Sequence, residues 1–191
     1  MISYQEFILV ILYMVMTYNI IALKYSRSRG FSYLSRTSRA FLVALHVFIV
    51  ITNIFLYLWL ISKDFNTVQG VFRVSGMILF TAGIFLILWG IYSLKRAVFI
   101  PDENFIKTGP FALVRHPMYL GGIIGALGIA AFAGSLFGLL YTIILAAVLS
   151  HIADSEEKDL LIRFGSQYEK YKGKVPKIFP FELKNRNRHY F

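Results

Sequence analysis

The chain has no cysteine. That excludes disulfides, thiolate metal sites and a cysteine nucleophile. Charge is also scarce. Charged residues make up 16% of the 191 residues, against roughly 25% in soluble domains. Acidic residues number 10 against 20 basic ones. There is no Gly-x-G-x-x-G after a strand and no P-loop, so the common nucleotide fingerprints are missing. No internal repeat and no low-complexity tract interrupts the chain. What is present in excess is apolar surface, at 57% of residues.

That apolar content is clustered. Ile8–Leu23, Phe41–Ile61, Val74–Leu94 and Pro117–Leu149 carry almost no charge. A helix needs about 20 mostly apolar residues to cross about 30 Å of hydrocarbon. The last run is too long for one crossing, and Gly134-Ser135 near its middle predicts a tight helical hairpin. The expectation is an all-α, polytopic membrane protein forming a single membrane domain. Its five spans lie near 5–25, 41–61, 74–94, 117–133 and 136–152. The first run lacks a basic leader and a small-residue cleavage site, so it reads as a span and not as a cleaved signal.

The basic residues orient the spans. The first loop holds Lys24, Arg27, Arg29, Arg36 and Arg39, and the third holds Lys95, Arg96, Lys107 and Arg115. The tail after Ser150 holds nine more, and the second loop only Lys63 and Arg73. Lys and Arg collect on cytoplasmic loops, which predicts an outside N-terminus and a cytoplasmic C-terminus. The same pattern explains the net charge of +10 without nucleic acid, and it places basic side chains against anionic membrane lipids.

Two cytoplasmic stretches, 95–116 and 153–181, carry most of the polar chemistry. Pro101, Gly109 and Pro110 prevent one continuous helix in the first. In the second, Leu160, Leu161, Phe164, Tyr168 and Tyr171 recur at three- and four-residue steps after an acidic start. This predicts an amphipathic helix continuing from the fifth span and ending near Gly173. Pro176 and Pro180 then mark an extended stretch, and 182–191 reads as a tail whose last residues, from Asn185, are disordered.

Three features at the cytoplasmic boundary are informative. In Arg115-His116-Pro117-Met118-Tyr119, Pro117 suits the first turn of the fourth span. Arg115 and His116 then sit at its positive end. They form an anion site, or they anchor the helix to headgroups; both readings stand at this point. Glu156-Glu157 is an ordinary solvated helix start unless something cationic or hydroxyl-rich meets it. Phe164-Gly165-x-x-Tyr168-x-x-Tyr171 with Val175-Pro176 suggests a helix and a turn over an apolar surface. Gly121, Gly122 and Gly125 lie inside a span and read as helix packing. His46 and Asn53 in the second span read first as bonds to a neighbouring helix and second as lining of an acceptor tunnel.

Taken together, these motifs resemble the isoprenylcysteine carboxyl methyltransferase family and the related membrane phospholipid methyltransferases, over about residues 70–181. The resemblance implies S-adenosylmethionine as cofactor, and methyl transfer to a lipophilic acceptor entering from the bilayer. It implies a cofactor pocket from Glu103, Asn104, Phe105, Ile106, Phe111, Arg115, His116, Pro117, Met118 and Tyr119, completed by Glu156 or Glu157. Chemically, Arg115 and His116 suit the cofactor carboxylate, a glutamate suits its ammonium or ribose diol, and Tyr119 and Phe111 suit adenine or the sulfonium. Two departures stand out. Phe111 replaces a usual tyrosine. Ile152 occupies a position, four before the first glutamate, where an arginine is thought to hold the acceptor carboxylate; neighbouring His151 is a weak substitute. The second departure points away from a prenylcysteine carboxylate and leaves a lipid, thiol, phenol or amine open. The rivals are a membrane sterol or enone reductase using NADPH, whose C-terminal portion is similar, and a non-enzymatic transporter or assembly protein. The absence of any Asp, Glu, Lys or Arg deep in a span, and of a repeat, counts against the transporter.

Overall fold

The structure is a computed structural model and describes residues 6–11, 13–14, 36–63, 70–98 and 105–180; at 95–98 and over most of 36–50 it describes backbone only. The described residues are mostly helical and include no strand. Residues 6–11 and 13–14 form α1. Then come α2 (Arg36–Lys63), α3 (Gly70–Val98), α4 (Pro117–Ala133) and α5 (Leu136–Lys172), with a short 3-10 turn at Gly109–Ala112 before α4. Two stretches are long and apolar enough to cross a membrane, Gly70–Leu94 and the helix Leu136–Lys172. The 25 residues of the first rise about 37 Å at 1.5 Å each, more than a hydrocarbon layer. Ile51–Lys63 and Pro117–Ala133 are shorter apolar helices.

The core lies between α1, α2, α4 and α5. Met14, Leu60, Ile61, Ala126, Ala133, Tyr141, Leu149 and Ile152 are buried there. The Tyr57 ring stacks on Tyr141 at 4.7 Å. Its hydroxyl donates to the Ala126 carbonyl at 2.5 Å, so the buried polar end is satisfied.

α3 joins this core differently, backbone against backbone on α4. Glycines at seven-residue steps, Gly76, Gly83 and Gly90, line its contact face. A Cβ on Gly83 would meet the Gly121 carbonyl oxygen at 2.5 Å, and one on Gly76 the Phe132 nitrogen at 2.6 Å. At Gly90 it would strike the Met118 side chain at 2.7 Å. These pairings run in opposite directions along the two helices, so α3 and α4 are antiparallel. Gly121 takes the packing role expected of it, and Gly128 joins it. The rest of α3 is bare: Phe72, Met77, Ile78, Phe85, Leu88 and Tyr92 are all exposed.

The hairpin has clear chemical causes. Gly134 caps α4 in the left-handed conformation (φ 61°, ψ 30°), which costs glycine little. Ser135 then caps α5, its Oγ accepting from the Gly138 N–H at 2.9 Å. α5 continues well past residue 152, to Lys172, with Gly173 as its C-cap. One residue interrupts it. Gly165 takes φ 48° and ψ −127°, a conformation closed to most side chains.

Candidate active site

Helix α4 begins where sequence chemistry requires: His116 is the N-cap and Pro117 occupies the first turn. The chain just before it is pinned by the segment after α5. The Arg115 N–H donates to the Pro176 carbonyl at 2.9 Å, and the His116 N–H to the Lys177 carbonyl at 3.0 Å. Ile178, 1% exposed, anchors that segment in the core. Lys177 fastens it to α5 through Ser150 (2.9 Å) and Asp154 (2.7 Å). Tyr171 reaches from α5 to the Phe111 carbonyl at 2.6 Å. Residues more than 40 positions apart are thereby fixed around one spot.

That spot is an ion network. Arg115 donates from Nε to Glu157 Oε1 at 2.8 Å, and from Nη1 to the carbonyls of Lys172 and Val175 at 2.8 and 2.7 Å. Lys172 Nζ lies 3.2 Å from Glu157 Oε2. His116 stands between the two glutamates: Nδ1 is 3.4 Å from Glu156, and Nε2 is 3.3 Å from Glu157. Only the imidazolium donates from both nitrogens. Burial disfavours charge on His116, but the hydrogen bonds and charges of the two glutamates outweigh it and raise its pKa. Burial likewise opposes charge on Glu157. Its bond to His116 and the charges of Arg115, His116 and Lys172 overcome this, and its pKa falls to about 2. One imidazole ring thus bridges the two carboxylates. Tyr119 completes it, its ring parallel to His116 and its hydroxyl donating to Glu156 at 2.6 Å.

Beside the network lies a cavity of about 380 Å³, within the range of small-molecule sites. Its polar wall is Arg115, His116, Tyr119, Glu156 and Arg163; its apolar wall includes Leu94, Phe111, Met118 and Leu160. Phe105 closes one side and packs on Phe164, Tyr168 and Tyr171 with ring centres 5.1–5.2 Å apart. Tyr168 is 1% exposed, and its hydroxyl has no hydrogen-bond partner among the described residues. Burial and the nearby Glu157 raise its pKa, so it remains a neutral donor.

Most of the residues singled out in the sequence meet here. Phe105, Ile106, Phe111, Arg115, His116, Pro117, Met118, Tyr119 and Glu156 line the cavity. Glu157 sits behind it, buried in the ion network. Glu103 and Asn104 lie outside the described residues, as do the 182–191 tail and the His46 side chain. Asn53 is buried in α2, and His151 is exposed on α5; neither lines the cavity. Ile152 faces the core. Sequence reading missed Arg163, which looks like part of a solvated helix face, and the aromatic wall built on Phe105.

The sequence pattern of the phospholipid methyltransferase family matches residues 71–167. Among curated proteins, the chain is similar to a protein-S-isoprenylcysteine O-methyltransferase of Schizosaccharomyces pombe, with 38% identity over 41% of this chain and 34% of the relative. The Rattus norvegicus and Homo sapiens proteins of that name are 26% and 25% identical, each over 52% of this chain and 40% of the relative. The chain therefore matches well under half the length of these relatives. No solved structure matches it.

Proposed function

Because the chain belongs to the phospholipid methyltransferase family, we propose that it transfers a methyl group from S-adenosylmethionine to a lipophilic acceptor at the membrane boundary. The observation that carries this reading is the convergence of His116, Tyr119 and Glu156 on one cavity at the start of α4. The pattern match, over residues 71–167, runs through all three.

The cavity residues fit such a donor. Glu156 offers a carboxylate, held in place by Tyr119 and His116, to an ammonium or a ribose diol. The faces of Phe105, Phe111 and Tyr119 suit an adenine or a positively charged sulfonium. The unpartnered Tyr168 hydroxyl is a further donor at the same wall. Bound there, S-adenosylmethionine supplies an electrophilic methyl group. The protein's part is alignment of the acceptor and exclusion of water. The network of Arg115, His116 and Glu157 provides rigidity: it ties α4, α5 and the 173–180 segment together behind the cavity.

The bare apolar face of α3 suits a bilayer, since an exposed patch of that kind is not stable against water. With five spans and the basic loops inside, the cavity opens to the cytosol, where a soluble donor arrives, while the acceptor enters sideways from the lipid. The relatives' name refers to an isoprenylcysteine acceptor. We place that acceptor first and a phospholipid second.

The test is transfer of labelled methyl from S-adenosylmethionine to an S-prenylcysteine and to phospholipid vesicles, with S-adenosylhomocysteine binding measured by calorimetry. Binding and labelled lipid or prenylcysteine ester are expected, with both lost in Glu156→Ala. Activity that survives both Glu156→Ala and His116→Ala, or binding of NADPH in place of S-adenosylhomocysteine, would refute the reading.

A further inference from the structure

Any ligand carrying a carboxylate needs a cation in this cavity with donors to spare. Three basic side chains line it: Arg115, His116 and Arg163. Arg115 spends Nε on Glu157 and Nη1 on two carbonyls, so its charge is already matched by a carboxylate and only Nη2 is left over. His116 is held between two carboxylates. Arg163 makes no hydrogen bond or ion pair among the described residues, is exposed to solvent, and borders the cavity. We propose that Arg163 is the anion anchor of the site, binding the carboxylate of a bound ligand. This rests on the methyl-donor reading and assigns a residue to it that neither the motifs nor the relatives point to.

Position supports the assignment. Arg163 lies seven residues after Glu156 on α5, two helical turns along the same face and about 10 Å along the axis. The cavity thus presents an anion at one end and a free guanidinium at the other. Two orientations use this polarity. With Glu156 on the ribose diol, the donor's own carboxylate reaches Arg163. With Glu156 on the donor's ammonium, Arg163 is left for a carboxylate on the acceptor. The second arrangement would replace the arginine missing at Ile152, whose side chain is turned into the core. Guanidinium is suited to either, because its planar fork matches a carboxylate. Arg163 has no structural bond to lose, so its replacement leaves the fold intact.

The experiment compares the full-length wild type with Arg163→Gln and Arg163→Lys. Calorimetry measures S-adenosylhomocysteine and 5′-methylthioadenosine, which lacks the amino-acid carboxylate and ammonium. Steady-state assays measure methylation of N-acetyl-S-farnesylcysteine. If the donor's carboxylate sits on Arg163, Arg163→Gln weakens S-adenosylhomocysteine binding about tenfold or more and leaves 5′-methylthioadenosine unchanged. If the acceptor's carboxylate sits there, nucleoside binding is unchanged and the KM for the farnesyl probe rises by a similar factor. Arg163→Lys recovers part of either loss. Donor binding and probe KM both within twofold of wild type overturn the proposal, as does unchanged donor binding with no methylation of the probe. A wild type that binds neither nucleoside fails the methyl-donor reading itself and takes this inference with it. That result differs from a wild type that binds and a variant that binds equally well.

Discussion

Glu157→Gln removes one charge from the centre of the ion network while keeping its shape. The carboxylate is 3% exposed and faces Arg115 at 2.8 Å, Lys172 at 3.2 Å and His116 at 3.3 Å. Its pKa is held at about 2, against an ordinary 4.5. At about 1.4 kcal/mol per pH unit, that depression corresponds to on the order of 3 kcal/mol of stability near neutral pH. Lys172 is 43% exposed at its side chain and contributes little of this; Arg115 and His116 carry the rest. The amide leaves Arg115 without its anion, and breaking a buried pair costs about 3–5 kcal/mol. Two carbonyl bonds remain to Arg115, which places the loss at the lower end. Thermal unfolding of the full chain in detergent at pH 6 reads this as a Tm lower by about 6–12 °C. The pH dependence is the sharper check. A depressed carboxyl contributes fully above about pH 4.5 and loses its contribution as pH falls towards 2. The gap between wild type and Glu157→Gln therefore closes across that window. His116 has the opposite sign. Its raised pKa gives stability that is complete below 6.5 and lost as pH rises through the raised value. In Glu157→Gln the imidazole loses one supporting carboxylate, and its titration, followed by NMR, moves to lower pH. Equal Tm values at pH 6, or a gap that persists unchanged at pH 2.5, would refute the reasoning.

Four further outcomes follow from the packing and from the bonds of the 173–180 segment. Gly83→Ala and Gly128→Ala press a methyl group into the facing helix backbone at 2.5 and 2.4 Å and should each destabilise by about 1–3 kcal/mol. Gly122→Ala meets nothing within 4 Å and should leave the Tm unchanged or higher. Gly165→Ala has open space around it too, yet its φ of 48° should cost about 1–2 kcal/mol, seen in thermal unfolding; a neutral result would mean that the kink is not needed. Lys177→Met cuts the bonds to Ser150 and Asp154, so limited proteolysis should cleave within 173–180 faster than in wild type, with α4 and α5 still protected.

How much of this was readable from residues alone depends on the range of the interaction. Pro117, Gly134, Ser135 and Gly173 mark helix ends because capping chemistry is local, and the structure uses each as a cap or first-turn residue. The glycine face of α3 was legible in principle: Gly76, Gly83 and Gly90 repeat every seven residues, yet only the glycines of α4 draw attention, because they are adjacent in sequence. Arg115 shows where local reading stops. A guanidinium next to a helix start looks available to a ligand. Its partners are Glu157, 42 positions away, and carbonyls about 60 positions away, which no spacing rule connects to it.

The glutamate pair shows how three dimensions resolve what sequence leaves open. Either residue served equally well as the ligand's partner on paper. On α5, successive side chains are turned by about 100°. Only one of two neighbours can point inward, and Arg115 lies on the inner side. Glu157 therefore becomes a buried counter-ion at 2% exposure, while Glu156 is left half-buried at the cavity wall. His116 touches both, so the rigidity of the inner carboxylate is passed to the outer one through a single ring. The two acids differ in role because of a rotation along the helix, and a substitution at Glu157 reaches the cavity through the two wall residues it touches, His116 and Arg115.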